Sequence, residues 1–143
     1  MVRIVAETIE RRSVDSLVPY ARNSRTHSED QVAQLAAAMR EFGFTNPVLI
    51  DENGGIVAGH GRIMAARAVG LTEVPCITLA GLTEAQRRAY VIADNKLALN
   101  AGWNDEVLRE EMRALADADY DLDLTGFDDD ELAEAVNIAG GDE

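Results

Sequence analysis

The chain contains 143 residues, of which 47% are apolar, enough to bury the core of one domain with a small appendage. Because it has no run of about 18 apolar residues and no leader-like start, we expect no membrane association and a cytoplasmic protein. The single cysteine, Cys76, excludes an internal disulfide and a cysteine-based zinc site, and its neighbours predict a buried strand.

The net charge of −13 is unevenly distributed along the chain. Residues 1–103 contain 11 basic and 11 acidic side chains, whereas residues 104–143 contain 2 basic and 15 acidic ones. The acidity of the whole chain therefore does not exclude a nucleic-acid partner for the neutral first part. We expect one folded domain at 1–103 and an acidic helical extension at 104–143.

The first elements are an edge strand, a loop and a helix. Residues 8–13 alternate weakly in polarity and predict the edge strand, and residues 14–28 are polar and turn-rich. Ser28 and Gln31 form a capping box, in which each side chain can satisfy the unpaired backbone N–H group of the other residue. Apolar residues at helical spacing follow as far as Gly43, which ends the helix.

The middle of the chain predicts a hairpin, a helix and a further strand. Residues 47–51 predict a short buried strand and residues 56–58 the second strand of a hairpin. Asn53 and Gly54 are expected to supply the positive φ angles of the turn between them. After Gly59-His60-Gly61, residues 62–69 are helical, and the next strand is centred on 74–78.

The rest of the chain is predicted to be helical. Thr83 is the N-cap of a helix that extends to about Asn95. One face of this helix is apolar and consists of Ala85, Ala89, Ile92 and Ala93. Two acidic helices follow, near 104–118 and 128–139. The predicted fold class is α+β, a small mixed sheet with packed helices, followed by the acidic C-terminal helices.

The segment Gly59-His60-Gly61-Arg62, called the 59–62 turn below, has the chemistry of an anion site. Its glycines allow a sharp strand-to-helix turn and close approach to the backbone, and the helix that follows presents unpaired N–H groups. Arg62 adds a fork of donors that suits phosphate, and Arg67 follows about one turn later. A tight structural corner with a solvated arginine accounts for the same residues equally well.

The order of these segments resembles a known family. The pieces 41–50, 57–71 and 73–77 are similar to the ParB N-terminal domain, of the ParB/sulfiredoxin fold, and the resemblance covers about residues 8–103. The sequences of residues 92–103 and 123–128 resemble those of a subgroup found in phages and at the front of DNA amino-methyltransferases. Sulfiredoxins require a cysteine where this chain has the 59–62 turn, so their activity is not expected.

The resemblance implies nucleotide binding, with CTP as the ligand of the chromosome-partition members. The Gly-Glu-Arg-Arg box of the family falls on the 59–62 turn. His60 therefore replaces a glutamate linked to hydrolysis, and Gly61 replaces one phosphate-binding arginine. A second family segment falls on Asp94 and Asn95, which the resemblance implies hold hydrated Mg²⁺ against the phosphates. A polar helix end is the competing interpretation of these two residues.

The loop at 22–27 corresponds to an arginine-bearing family loop. The resemblance implies that Asn23, Arg25 and His27 close over the ligand, and a solvated loop is the alternative.

Three functions compete at this point. The first is a nucleotide-binding module in DNA modification, partition or phage DNA handling, whose possible contacts with DNA or a partner such as a DNA methyltransferase are Arg11, Arg12, Arg87 and Arg88. The second is an enzyme, a weak NTPase, phosphotransferase or nuclease, with His60 and Asp94 as its catalytic residues. The third is an adaptor whose acidic helices dock a basic partner. No helix-turn-helix is expected after residue 103, and we expect a monomer or a weak homodimer.

Overall fold

The computed structural model describes residues 2–19 and 28–140, the last six of them by their backbone alone. The chain divides into two compact units, Met1–Leu99 and Asn100–Glu143, called the first and the second unit below. The predicted ligand-closing loop, with Asn23, Arg25 and His27, lies outside the described residues. Within the described part, no helix has both the length and the apolar character needed to cross a bilayer.

Four short strands of the first unit form one mixed sheet. The strands are β1 (Glu10–Ser13), β2 (Val48–Ile50), β3 (Ile56–Ala58) and β4 (Glu73–Thr78), and they lie in the order β1-β4-β2-β3. Strand β4 is parallel to β2, and the two outer pairs are antiparallel. The predicted mixed sheet and the edge position of β1 are confirmed.

The core lies on the two central strands. Val48 and Ile50 of β2 and Val74 of β4 have no exposed surface, and Cys76 is buried beside Val48 in the register. Burial raises the pKa of the Cys76 thiol, as expected for a core residue, because it disfavours the thiolate. The same cluster includes residues of β3, of the helix that follows it and of the segment after β1, namely Val14, Leu17, Ile56, Ile63 and Ala66.

Helices α1 (Glu29–Phe42) and α2 (His60–Ala68) pack against each other in the first unit. The cap predicted for α1 is present, because the Ser28 hydroxyl oxygen accepts the Gln31 N–H group at 3.1 Å, and Gly43 ends the helix at φ 87°. Helix α2 begins two residues before its predicted start, because Gly59 takes a left-handed conformation and lets the helix begin at His60.

The hairpin turn between β2 and β3 differs from the prediction. Gly54 has a positive φ of 79°, but Asn53 does not. The Asp51 carboxylate instead organises the turn, since its Oδ1 atom accepts the N–H groups of Asn53 and Gly55, both at 2.8 Å. An aspartate at the start of a turn commonly binds the backbone in this way, which removes the need for a second positive φ angle.

Helix α3 (Glu84–Asn100) is longer than predicted and turns a different face inward. The predicted N-cap is present, with the Thr83 hydroxyl oxygen accepting the Gln86 N–H group at 3.1 Å. The predicted apolar face is exposed, and Ile92 retains 61% of its surface. The inward side instead contains Val91, which is buried, and Arg87, which binds Asp51 of the hairpin at 3.0 Å.

The second unit contains two acidic helices joined by a turn, near their predicted positions. Helix α4 (Asp105–Asp117) is capped by Asn104, and a single 3-10 turn at Leu122–Thr125 leads to α5 (Asp129–Gly140). At the start of α5 the Asp128 carboxylate accepts the Glu131 N–H group at 2.8 Å, and the Glu131 carboxylate accepts that of Asp128 at 3.0 Å. This reciprocal pair is a capping box with an aspartate as the N-cap.

Candidate anion-binding site

The site is built on the sharp turn between β3 and α2. Gly59 has a φ of 113°, which side chains rarely allow. A Cβ atom at this position would lie 3.1 Å from Nη1 of Arg62 and 3.3 Å from both methyl groups of Val48. Glycine is therefore required twice, by the backbone conformation and by the close approach of the Arg62 guanidinium.

Helix α2 presents its N-terminal backbone to this turn. Its first intrahelical bond joins the Ile63 N–H group to the Gly59 carbonyl oxygen at 3.0 Å, so the N–H groups of Gly61 and Arg62 have no partner within the helix. Gly59 provides no side-chain cap for them. Gly61 lines the cleft formed here and carries no side chain that would cover the backbone at this position. Such a helix start attracts anions through its N–H groups and its dipole.

Arg62 provides the positive charge of the site. Its Nη1 atom donates a hydrogen bond of 3.0 Å to the Pro47 carbonyl oxygen, which folds the side chain back across Gly59. The side chain is half-buried, and burial lowers the pKa of Arg62, while the nearby Asp94 carboxylate acts in the opposite direction. A partly desolvated guanidinium gains from binding an anion that replaces its lost hydration.

Helix α3 supplies the opposite side of the site. Asp94 and Asn95 both line the cleft, and the Asn95 amide group donates from Nδ2 to the Val91 carbonyl oxygen at 2.8 Å. Tyr90 lies one turn before Asp94 on α3 and is partly buried. Burial raises the pKa of Tyr90, and the Asp94 carboxylate raises it further.

These groups surround a cleft of about 260 Å³, called the Arg62 cleft below. The structure thus brings together the whole 59–62 turn, Asp94 and Asn95, as the sequence predicted. The other lining residues come from α1, β3 and α3, and they are Gln31, Leu35, Val57, Ala58 and Ala98. Sequence reasoning missed Gln31, Leu35 and Tyr90, although the four-residue spacings of 31 with 35 and of 90 with 94 are visible in the sequence.

A second, smaller cleft adjoins Arg62. It has a volume of about 140 Å³, and Arg62 lines it as well as the first. Most of its other residues belong to the end of α1 and the segment that follows, and they are Leu35, Ala38, Met39, Phe42, Gly43, Phe44, Thr45 and Asn46. A cleft with a mixed polar and apolar lining and a largely apolar one therefore share Arg62.

Four of the other arginines singled out from the sequence lie outside both clefts and form ion pairs within the chain, namely Arg12, Arg67, Arg87 and Arg88. Arg87 binds Asp51 at 3.0 Å, Arg88 binds Glu84 at 3.0 Å, and Arg12 binds Glu10 at 3.2 Å. Arg11 is exposed on β1, opposite Pro75 in the register. Arg67 does not join Arg62, since it binds Asp15 at 3.1 Å and lies outside both clefts.

The donor set around the Arg62 cleft fits phosphate better than it fits a resident metal. Among residues 2–19 and 28–140, no three His, Cys, Asp or Glu side chains form a group that could hold a metal ion. Asp94 and Asn95 both line the cleft and offer it one carboxylate and one amide oxygen. Magnesium needs few protein ligands when phosphate oxygens and water complete its shell, so this pair fits a cation that arrives with a nucleotide.

Comparison with solved structures identifies the class of fold. The C-terminally truncated chromosome-partitioning protein ParB of Caulobacter crescentus, complexed with CTP-γ-S, superimposes with a TM-score of 0.76 at 20% identity, over 93% of this chain and 79% of that one. The same protein complexed to the centromeric parS site gives a TM-score of 0.51 at 19% identity, over 90% and 64% of the two chains. The fold is therefore that of ParB.

The family follows from the sequence comparisons. A model of the ParB N-terminal domain matches residues 2–95, and the chain belongs to this family. A ParB-like nuclease domain-containing protein of Escherichia coli K12, YnaK, is 56% identical over 77 residues, which are 54% of this chain and 88% of that protein. Stage 0 sporulation protein J of Bacillus subtilis is 31% identical over 98 residues, 66% of this chain and 34% of that protein. The resemblance seen in the sequence is confirmed.

The expectation that no helix-turn-helix follows the domain is wrong. A model of the ParB-methyltransferase HTH domain matches residues 106–143, where the second unit has helices α4 and α5, joined by residues 118–128 with their 3-10 turn. The acidic composition concealed this motif, because DNA-binding helices of this kind are usually recognised by their basic residues.

Proposed function

We propose that the first unit binds a nucleoside triphosphate, CTP or another, with its phosphates at the 59–62 turn, as part of a DNA-associated process. The observation that carries this proposal is the half-buried Arg62 guanidinium, which lies across Gly59 at the start of α2, where Gly59 supplies no side-chain cap. The ParB structure with CTP-γ-S shares the fold and supports the choice of ligand.

Each part of the site has a separate role in this proposal. The backbone N–H groups at the start of α2 bind phosphate oxygens, and Arg62 contributes a charged fork of donors. Asp94 and Asn95 would hold the Mg²⁺ that accompanies a nucleoside triphosphate. This cation would offset the part of the phosphate charge that Arg62 alone does not neutralise. The replacement of a family arginine by Gly61 moves part of phosphate recognition from side chain to backbone.

The pair of adjoining clefts favours a nucleotide over a simple phosphate. The smaller cleft is largely apolar and contains Phe42 and Phe44, whereas the Arg62 cleft is polar along the 59–62 turn. A nucleotide has a flat, mostly apolar base and a charged phosphate chain, so it matches both environments. We therefore place the base towards the smaller cleft and the phosphates in the larger one.

A second candidate function is enzymatic and concerns the same cleft. His60 and Asp94 both line it, so a base and a carboxylate would lie beside bound phosphates, as a weak NTPase or a nuclease needs. Release of phosphate from CTP by the wild type, lost in a His60→Ala/Asp94→Ala double variant that still binds CTP, supports this function. Phosphate release that survives the double substitution contradicts the roles of both residues.

The DNA-associated role rests on the relatives. They include a ParB complexed to its centromeric parS site and a nucleoid occlusion protein of Geobacillus thermodenitrificans, which is 30% identical over 94 residues. The chain spans about a third of that protein, 33% of its length, so a partition-like activity, a methyltransferase partner and the assembly state of this protein are proposals. Exposed Arg11 is the first residue that we would test for contact with DNA or a partner.

Calorimetry with three matched ligands tests the nucleotide proposal. We expect CTP with Mg²⁺ to bind the full chain, while cytidine and inorganic triphosphate each bind at least about tenfold more weakly, because each occupies only one cleft. ATP and GTP in the same assay report base selectivity. Equal affinity for triphosphate and CTP would contradict the role of the smaller cleft, and no binding of any nucleotide would contradict the proposed function.

A further inference from the structure

The single tryptophan of the chain, Trp103, is exposed near the start of the second unit. It retains 67% of its surface, although folded proteins usually cover most of this large side chain. Its ring lies against that of Phe127, with the ring centroids 5.4 Å apart and the planes at 53°, a tilted geometry typical of favourable aromatic pairs. The indole is therefore held in place while much of its surface faces solvent.

This aromatic pair joins the beginnings of the two helices of the second unit. Trp103 directly precedes Asn104, the N-cap of α4. Phe127 directly precedes Asp128, whose carboxylate caps α5. The ring contact thus brings the first turns of the two helices close together. Both first turns are acidic, and their carboxylates are those of Asp105, Glu106, Asp129, Asp130 and Glu131.

The charge in the two segments that carry the rings has one sign. Residues 100–108 and 121–131 contain eight acidic side chains and no lysine or arginine. Like charges placed close together repel one another, and a cation from outside relieves this repulsion. An anion, including the phosphate backbone of DNA, is repelled at the same place. The exposed indole therefore lies on a surface that favours cationic groups.

We propose that Trp103, Phe127 and the acidic first turns of α4 and α5, called the aromatic patch below, bind an arginine-bearing segment of a protein partner. An arginine side chain fits both parts of the patch, because its planar guanidinium stacks on an indole face and its fork of N–H donors pairs with carboxylates. Lysine offers the same groups only a compact charge. Val107, in the first turn of α4, retains 50% of its surface, so an apolar side chain beside the arginine also has a surface to cover.

The charge of the patch favours a protein segment over nucleic acid. An exposed indole can stack on a base, and the second unit matches a helix-turn-helix model. A base stacked there would, however, bring its phosphates among the carboxylates of two helix starts. The inference concerns the second unit and does not depend on nucleotide binding by the first.

Trp103 serves as its own reporter, because the chain has one tryptophan. The full chain is titrated at low salt with a short capped peptide of repeating Arg-Leu-Ala, and the tryptophan fluorescence is followed. Matched peptides contain lysine or glutamate in place of every arginine. We expect a saturable change with the arginine peptide, an affinity at least about threefold lower for the lysine peptide, and no change with the glutamate peptide.

A substitution of the indole tests the aromatic part of the patch, with the anisotropy of labelled arginine peptide as the readout. Trp103→Ala should weaken binding at least about fivefold, because exposed tryptophans at binding surfaces contribute a large share of the affinity. The matched control is Ile92→Ala, which removes an apolar side chain of α3 with 61% of its surface exposed, and its affinity should stay within about twofold of the wild type.

A second variant tests the charged part and keeps both rings. Glu106→Gln/Asp129→Asn removes one carboxylate from each first turn and neither helix cap, and it should weaken binding of the arginine peptide about three- to tenfold. Glu7→Gln/Glu73→Gln alters two exposed carboxylates of the first unit and is the charge-matched control, with an affinity within about twofold of the wild type. This variant decides the question even if Trp103→Ala fails to fold.

Equal affinity for the arginine and lysine peptides, or unchanged affinity in folded Trp103→Ala or in Glu106→Gln/Asp129→Asn, would overturn the inference. Binding of the glutamate peptide to the same surface would also overturn it. A labelled DNA duplex that binds the wild type and loses affinity in Trp103→Ala would show instead that the patch contacts nucleic acid.

Discussion

Gly59 shows how one residue can decide the geometry of the site. Its positive φ angle sets the direction of α2, and its missing side chain leaves room for the Arg62 guanidinium at 3.1 Å. The chain contains a natural control for these two effects. Gly70, after the same helix, also has a positive φ of 84°, but a Cβ atom there would meet nothing within 4 Å.

The substitutions Gly59→Ala and Gly70→Ala separate conformational strain from loss of the site. Each alanine adopts an unfavourable backbone conformation, so each should lower the free energy of unfolding by about 1–2 kcal/mol. Gly59→Ala should in addition displace Arg62 and weaken CTP binding at least about tenfold, which is a binding loss of about 1.4 kcal/mol or more. Urea denaturation and calorimetry measure the two quantities.

Equal effects of the two alanines on CTP affinity would contradict this role of Gly59.

The 59–62 turn was predictable from the sequence, because two glycines and an arginine at a strand-to-helix junction are typical of an anion site and the order of the flanking segments favours that interpretation. The contact of Arg62 with the Pro47 carbonyl oxygen was not predictable, since it joins residues that only the fold brings together.

At the scale of elements, the position of α3 depends on a contact with the β2–β3 hairpin. Asp51 accepts two backbone N–H groups within the turn and binds Arg87 of α3 at 3.0 Å. The two side chains retain only 21% and 26% of their surface, so solvent screens the pair less than an exposed one. A second bond, from the Gly81 N–H group to the Glu52 carboxylate at 3.0 Å, joins the hairpin to the segment before α3. Because α3 carries Tyr90, Asp94 and Asn95, the hairpin helps to position them.

The neighbouring arginines of α3 give a matched test of this role. Arg87→Ala breaks a partly buried pair between elements and should lower the free energy of unfolding by about 1–2 kcal/mol. Arg88→Ala breaks an exposed pair within the helix and should change it by less than about 0.5 kcal/mol. We also expect Arg87→Ala, but not Arg88→Ala, to weaken Mg²⁺-dependent CTP binding. Indistinguishable unfolding curves for the two variants would show that the hairpin does not support α3.

Local sequence signals predicted the elements well wherever the structure depends on neighbouring residues. The caps at Ser28 and Thr83 and the stop at Gly43 were correct because each depends on contacts within a few residues. The inward face of α3 was not predicted, because it depends on the contact of Arg87 with Asp51, which lies 36 residues earlier in the sequence. The positive φ angle predicted for Asn53 is absent, because the Asp51 carboxylate stabilises the turn by accepting backbone N–H groups.

Charge is divided unequally over the whole molecule. The first unit is neutral, whereas the second unit, which matches a helix-turn-helix model, is strongly acidic. The start of α5, where such motifs usually approach DNA, contains Asp129, Asp130 and Glu131. Phosphate contacts dominate the affinity of most DNA-binding proteins, and acidic residues at this position oppose them. We therefore expect the second unit to contribute little to DNA affinity.

Neutralising this helix tests the expectation on the full chain. In Asp129→Asn/Asp130→Asn/Glu134→Gln, the affinity for a DNA duplex at low salt should increase by about three- to tenfold, because three repulsive charges are removed. Fluorescence anisotropy with a labelled duplex measures this, and Glu7→Gln/Glu29→Gln/Glu73→Gln, which alters three exposed carboxylates of the first unit, is the charge-matched control. Strong DNA binding by the wild type, weakened by neutralising α5, would show instead that these acidic residues contact DNA or order the helix that does.

The phosphate-binding role of Arg62 is tested most directly by calorimetric titration of CTP with Mg²⁺ into the wild type, Arg62→Ala and Arg67→Ala. Both arginines lie on α2, but Arg67 binds Asp15 away from the clefts. We predict that the wild type and Arg67→Ala bind CTP alike and that Arg62→Ala binds at least about tenfold more weakly. CTP affinity that is equal in all three proteins, or absent from the wild type, would contradict the account.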